Sequence, residues 1–365
     1  MAATARTQTP ATGVEFVGRW SGPPEAPLAT YGGSTVVLKF KASSSITADL
    51  TVGNLNPKDP GSKLWVTVSV DGGTPQRIAL AAGPHPGFTL ADGLSSGLHT
   101  IELRDDNEPT FGYIQFAHPT LAPGAVWQPI DDNRPIIELI DDSGATGLCV
   151  LGPQSPAAHV PLFTSAWESQ SLSFPALLES YLAALGNPAI VVDLALSGSN
   201  TRSEADTYDL AAPKAPPDYA KAIFHTYPGN RHASLVLLLG GSNDHNFGGA
   251  LATGSPATYA NLSPFQRGIY DQITKIDANN PGAEIVLLNY IDPIVPDWKP
   301  AYLQVQSLLP TSVQQRILFF GIKDSPIDWT ACAPSPHGHP NLAMHATFAA
   351  QLAQWMLNQN LIPKP

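Results

Sequence analysis

Two stretches far apart in this chain hold residues that could do chemistry together. Ile137-Glu138-Leu139-Ile140-Asp141-Asp142-Ser143-Gly144-Ala145-Thr146-Gly147 is an apolar run that delivers a serine into a turn of small residues. His337-Gly338-His339-Pro340-Asn341-Leu342-Ala343-Met344-His345 sets a histidine–proline pair at the start of a closing helical pattern. A serine hydroxyl is a weak nucleophile and needs a general base beside it. The two groups need only meet in space, so their separation along the chain is no objection. Such a pair performs acyl transfer of the serine-hydrolase type, with the histidine carrying the proton.

The elements that must position these residues read as two kinds of structure. The first third is β. Ser34 to Lys41, Lys63 to Val70, Arg77 to Leu80, Leu98 to Arg104 and Gly112 to Ala117 are short strands, and Asp71-Gly72-Gly73 is a hairpin turn. Short strands with Gly, Pro and Asp turns and no long helical period predict a β-sandwich over residues 1–125. Residues 126–365 alternate strands with helices. Strands are expected at Ile136 to Ile140, Ala189 to Leu196, Ser234 to Leu239, Glu284 to Tyr290 and Arg316 to Ile322. Helices are expected from Phe174 to Leu185, from Ser263-Pro264 to Asn279 and from Leu342 to Leu357, with Gly186-Asn187-Pro188 stopping the first. Nearly continuous apolar strands between helices imply a parallel sheet covered on both faces. Ligands of such sheets sit beyond the C-terminal strand ends. Ser143, Gly198 and Asn243 each follow a strand and should therefore converge on one edge.

Bulk properties narrow the partners. The chain has 365 residues, long enough for two domains, and its 43% hydrophobic content supports real cores. A net charge of −11 argues against nucleic acid and anionic membrane surfaces, which demand a basic footprint. No apolar run approaches the roughly 20 residues of a membrane span. Met1 to Pro10 has no apolar signal-peptide core. Charged residues are only 13%, and an Asn261-Leu262-Ser263 triplet is present, so secretion is the leaning and a cytoplasmic location the other reading. Cys149 and Cys332 follow the serine turn and precede the histidine segment. A disulfide across the site rim and two buried thiols both fit that placement.

Four blocks then point to a family. Ile137 to Gly147 resembles the first block of the SGNH/GDSL hydrolases, in which a strand ends in Gly-Asp-Ser. Leu194-Ala195-Leu196-Ser197-Gly198-Ser199-Asn200 resembles the second block. Leu237-Leu238-Leu239-Gly240-Gly241-Ser242-Asn243-Asp244 resembles the third, and His339-Pro340 the last. They occur in the family's order. The β-rich first third with Gly18-Arg19-Trp20, and His339-Pro340-Asn341 followed by His345, are similar to carbohydrate esterase family 2. That resemblance implies a jelly-roll sandwich followed by a three-layer α/β/α domain. It implies a carboxylic ester hydrolase that removes O-acetyl groups from saccharides or polysaccharides without metal or cofactor, as a monomer. Ser143 would be the nucleophile and His339 the base. The Ser143 and Gly198 N–H groups and the Asn243 side chain would form the oxyanion hole, with Asp142 and Asp244 in support. One such donor is worth about 3 kcal/mol.

Two departures carry expectations of their own. Asp141 stands where the family has glycine, which puts the turn in question and adds negative charge near a site that stabilises an anion. Pro336 and His337 stand where an aspartate usually orients the histidine, so a Ser143–His339 dyad is expected, with a backbone carbonyl or another group holding the ring. Hydrolysis of feruloyl or other short-chain esters, and acyl transfer to a sugar hydroxyl, are close variants. A non-catalytic sugar-binding protein with a decayed site and a long-chain lipase or thioesterase are the rival classes. Gly93-Leu94-Ser95-Ser96-Gly97 fits a Gly-x-Ser-x-Gly pattern but leads into a strand, so it reads as a turn.

Overall fold

The computed structural model describes residues 13–23, 25–54, 63–152, 165–201, 232–239, 243–244, 257–289, 298–321 and 339–362. Cys332, Pro336 and His337, weighed above for various roles, lie outside these residues.

The first part is built from two antiparallel sheets. One contains β1 (Val14–Val17), β4 (Thr35–Lys41), β6 (Leu64–Val70), β7 (Gln76–Leu80), β9 (Leu98–Asp105) and β11 (Val126–Trp127). Its order is β1-β4-β9-β6-β7, with β11 added to β4. The other contains β2 (Trp20–Ser21), β3 (Leu28–Ala29), β5 (Ile46–Asn54), β8 (Gly83–Ala91) and β10 (Gly112–Leu121), in the order β2-β3-β10-β5-β8. Inward residues of both sheets, among them Val36, Leu38, Phe40, Leu50, Val66, Ile101 and Phe116, form one apolar core. The hairpin expected at Asp71-Gly72 is present: β6 pairs β7 across it. β8 escaped the sequence reading because it opens Gly83-Pro84-His85-Pro86-Gly87. It is an edge strand, the place where a sheet tolerates proline, since no neighbour needs the missing N–H.

The second part is a five-stranded parallel sheet flanked by helices. Its strands are β12 (Ile136–Ile140), β13 (Ile190–Asp193), β14 (Leu235–Leu238), β15 (Glu284–Asn289) and β16 (Ile317–Gly321), in the order β13-β12-β14-β15-β16. β13 is shorter than expected, because the Asp193 carboxylate takes the Ala195 N–H (2.8 Å) and the chain leaves the ladder. The helices are α1 (Phe174–Ala184), α2 (Pro264–Asn279), α3 (Trp298–Leu308), α4 (Thr311–Gln314) and α5 (Leu342–Asn358). α1 packs on α5, and α2 on α3. α2 opens with a capping box between Ser263 and Gln266, and α5 opens on the Asn341 side chain, which accepts the Met344 N–H. α3 was not legible, since Pro300 and the short spacing to Pro310 mask its period. The described helices include none long and apolar enough to cross a membrane.

The two parts share buried structure. Val17, Tyr31 and Val37 of the sandwich belong to the apolar core of the parallel sheet. Arg19 donates to Glu138 in the middle of β12 (2.7 Å), and Asn280 donates to the other carboxylate oxygen (3.1 Å), so this charge inside an apolar strand is paired and bonded. The loop between β9 and β10, Asp106 to Phe111, is almost wholly buried against the second part. Cys149 is disulfide-bonded, so it is not a free thiol.

Candidate active site

The strand order creates a switch point. From β12 the chain moves to β13 on one side and then crosses to β14 on the other. Divergent connections leave a crevice at the carboxyl end of β12, where ligands of open α/β sheets bind. Backbone bonds carry this alignment past the strands: Leu194 N–H to Leu139 O (2.8 Å), Leu196 N–H to Asp141 O (3.1 Å) and Leu239 N–H to Ile140 O (2.9 Å). The segments after β12, β13 and β14 hold Ser143, Gly198 and Asn243.

The Ser143 turn is tied by its own acids. Buried Asp141 accepts the Asp142 N–H (2.6 Å), and the Asp142 carboxylate accepts the Gly144 N–H (2.9 Å). The Asp142 carbonyl accepts the Ala145 N–H (3.2 Å). Asp141 does not take a left-handed φ, so this turn makes no use of glycine's freedom, and the departure from Gly-Asp-Ser costs no backbone strain. Four residues on, Gly147 does need to be glycine: its φ is +73°, and a Cβ there would lie 2.3 Å from the Ser169 carbonyl.

Ser143 Oγ lies 3.0 Å from His339 Nε2. The two stretches that opened the sequence analysis therefore meet. His339 Nδ1 is buried and has no hydrogen-bond partner among the described residues. Burial alone pushes its pKa down to about 4. Beside it on α5, His345 accepts the Phe174 N–H at Nδ1 (3.0 Å), and burial, reinforced by His339, pushes its pKa down to about 3. His345 is thus neutral, and a neutral imidazole that accepts at Nδ1 carries its proton on Nε2.

Two backbone donors stand out at the crevice. Asp142, Gly144 and Ala145 all have partnered N–H groups, as do Leu196, Ser197 and Ser199. Between them, the N–H groups of Ser143 and Gly198 have no partner among the described residues. Gly198 is exposed, with φ +77° and open space where a Cβ would be. Asn243 Nδ2 donates to the Ser199 carbonyl (2.7 Å) and more weakly to Asp142 (3.3 Å), so one of its hydrogens can turn to a ligand only by giving up a bond. Asp244 accepts the Thr201 N–H (3.0 Å) and hydroxyl (2.9 Å), and burial raises its pKa.

The sequence reading missed a set of acids supplied by the sandwich. Glu108 accepts the Ser197 N–H (2.5 Å), and its own N–H donates to Glu168 (2.5 Å). Asp106 accepts from Arg77 (2.6 Å), Ser169 and the Ser171 N–H (2.7 Å), and Arg77 also donates to the Glu168 carbonyl. Burial pushes Glu108 up to about 7 and holds Glu168 and Asp193 well above the usual carboxylate range. The run Asp105-Asp106-Asn107-Glu108 reads as a solvated turn, and nothing in its composition announces that it is buried. Trp20 and Trp298 are core residues. Among the described residues no group of three or more His, Cys, Asp or Glu side chains is arranged to hold a metal ion.

Residues 16–129 match the family model for the carbohydrate esterase 2 N-terminal domain. The whole chain resembles solved structures of that family. A family two carbohydrate esterase from Cellvibrio japonicus aligns with a TM-score of 0.70 at 18% identity, covering 96% of this chain and 97% of that one. An acetyl xylan esterase from the rumen bacterium Butyrivibrio proteoclasticus gives a TM-score of 0.70 at 14% identity, with 97% of each chain covered. A family two carbohydrate esterase from Clostridium thermocellum in complex with cellohexaose gives 0.66 at 20% identity, covering 95% of this chain and 99% of that one. No curated protein matches the sequence.

Proposed function

We propose, for a chain that carries the N-terminal domain of carbohydrate esterase family 2 and shares the two-domain fold of its solved members, that it is a serine esterase removing O-acetyl or other short acyl groups from carbohydrates. The observation that carries this reading is the 3.0 Å contact between Ser143 Oγ and His339 Nε2, made beside two backbone N–H groups that have no partner among the described residues. Ser143 attacks the ester carbonyl as His339 Nε2 takes the hydroxyl proton. The tetrahedral oxyanion is received by the Ser143 and Gly198 N–H groups, joined by Asn243 once it releases Asp142. His339 then passes its proton to the leaving sugar hydroxyl. The acyl-enzyme is cleared by water that the same histidine activates.

A depressed histidine pKa has two consequences. The imidazole is neutral, and so able to act as a base, throughout the ordinary pH range. It is also a weaker base than one paired with a carboxylate, which places more of the catalytic demand on the oxyanion donors. The sandwich and the parallel-sheet domain act as one unit in this reading, with the boundary near residue 125. The Cys149 disulfide favours an oxidising, extracellular location.

The test is hydrolysis of p-nitrophenyl acetate, butyrate and octanoate, together with acetate release from acetylated xylan and glucomannan, by the parent, Ser143→Ala and His339→Ala. Acetyl-selective turnover lost in both variants is the expected result. A parent without turnover that still binds sugar would replace the reading with a carbohydrate-binding protein. Preference for octanoate would move it to the lipase class.

A further inference from the structure

The loop after β13 holds the donor that matters most for the proposed chemistry, and its N–H groups are used unequally. Leu196 donates to Asp141 and Ser199 to Leu196, both within the parallel-sheet domain. Ser197 donates to Glu108, which comes from the other domain. Gly198, placed between Ser197 and Ser199, keeps its N–H without a partner among the described residues. A glycine in a left-handed turn has little intrinsic preference for one orientation, so its neighbours must hold it.

The peptide that carries Glu108 is itself held by several bonds. Its backbone N–H is bound to Glu168, and Asn107 beside it donates to the same carboxylate (3.4 Å) and to the Ser165 carbonyl (3.2 Å). Asp106, one residue further back, anchors the loop to Ser169 and Ser171. Phe111, at the far end of the loop, packs with Leu148 and Cys149 just beyond the Ser143 turn. The sandwich thus reaches both the nucleophile's segment and the oxyanion loop through one buried peptide.

We propose that Glu108 is a positioning residue of the esterase site: the β domain, through this side chain, pins the Ser197 peptide so that the next N–H, that of Gly198, faces the oxyanion. The inference rests on the esterase reading above. What the role requires is a hydrogen-bond acceptor at this position, not a negative charge. Burial pushes Glu108 up to about 7, and a protonated carboxyl still offers an oxygen to the Ser197 N–H. Glutamine offers the same oxygen at the same reach. Aspartate keeps the charge but is one methylene shorter.

The experiment compares kcat and KM for p-nitrophenyl acetate in the full-length parent, Glu108→Gln, Glu108→Asp, Glu108→Ala and Ser143→Ala, with thermal melting and near-UV circular dichroism of each. Misplacing one oxyanion donor should lower kcat by about 10- to 100-fold in Glu108→Ala and Glu108→Asp, with KM within about twofold, while Glu108→Gln stays within about threefold of the parent. If Glu108→Ala does not fold, the order of the other two decides. Glu108→Asp as active as Glu108→Gln, or both equal to the parent, would overturn the inference. Parent turnover that survives Ser143→Ala would overturn the esterase reading and the inference with it. Ser143-dependent turnover indifferent to Glu108 would overturn the inference alone.

Discussion

The described residues include two serine–histidine pairs, one in each part, and the more complete-looking one lies away from the proposed site. In the sandwich, Asp71 Oδ2 lies 2.7 Å from His99 Nδ1, and His99 Nε2 lies 3.1 Å from Ser95 Oγ. That is the order of an Asp–His–Ser triad. In the parallel-sheet domain, Ser143 meets His339 and no described residue bonds the far side of the ring. The hydrogen-bond detail reverses the impression. His99 Nε2 also lies 3.2 Å from the Ser95 carbonyl, an oxygen that can only accept. Both ring nitrogens thus face oxygens, and the His99 pKa is raised, chiefly by the bond to Asp71. A raised proton affinity leaves less of the ring free to take a proton from serine near neutral pH. Ser95 Oγ already accepts the Gly97 N–H (3.2 Å) and stands exposed between strands with no switch point beside it. His99 staples two turns together. His339 is kept neutral by lost hydration and meets a serine near N–H groups that have no partner among the described residues. A catalytic pair is thus defined by the protonation state of its base and by what surrounds the reacting atoms, and the number of residues in a row matters less.

The largest expected effect tests that contrast directly. On the proposed function, Ser143→Ala and His339→Ala should each cut kcat on p-nitrophenyl acetate steeply, by up to about 10⁶-fold. Ser95→Ala should leave it unchanged. Loss of activity in folded Ser95→Ala would break the comparison. Next in size, Asn243→Ala should lower kcat by about 100-fold or more if the side chain joins the oxyanion hole. A change confined to KM would reduce Asn243 to bracing the loop between Ser199 and Asp142. A smaller effect is the acid limb. His339 must be neutral to act, so kcat/KM should fall as pH drops through about 4 and stay level above it. A limb near the ordinary histidine value of 6.5 would show that the ring is not desolvated in solution.

The smallest effect belongs to the staple and is read as melting temperature. The raised His99 pKa contributes stability that is fully present below 6.5 and is lost as pH rises through the folded value. Asp71 is held below its usual range despite some burial, by the Thr100 N–H and His99. Its contribution is present above 3.8 and is lost as pH falls through its lowered value. The sandwich should therefore gain most between these limits, modestly, since Asp71 is half-exposed. Asp71→Asn should flatten that profile without touching kcat. A pH profile identical in parent and Asp71→Asn would remove the staple from the account.

Most of the elements around the site were legible because their signals are local. Ile136 to Ile140 is apolar throughout, as a strand buried on both faces must be, and Asn341 before an apolar-periodic run is a helix start wherever it occurs. β8 and α3 were not, because prolines sit where an edge strand and a helix's first turn tolerate them, and that tolerance depends on position in the fold. Asp141 misled in the opposite direction: its place in the motif suggested an altered turn, and the structure shows it bonding the next N–H.

The sequence by itself determined the two kinds of sheet, the order of the four blocks and which serine, glycine, asparagine and histidine were worth bringing together. The two sheets follow from residue type and periodicity, which are properties of neighbours along the chain, and the blocks with their site residues from the resemblance to the SGNH/GDSL hydrolases. Only the tertiary structure decided that Ser143 and His339 touch, that burial lowers the proton affinity of His339 while Asp71 raises that of His99, and that a run of acids in an interstrand loop is buried against the site. Proton affinity depends on lost hydration and on partners brought from distant segments. Glu108 is the plainest case, since a carboxylate that looks solvated in the sequence becomes, once folded, the acceptor for a peptide in the other domain.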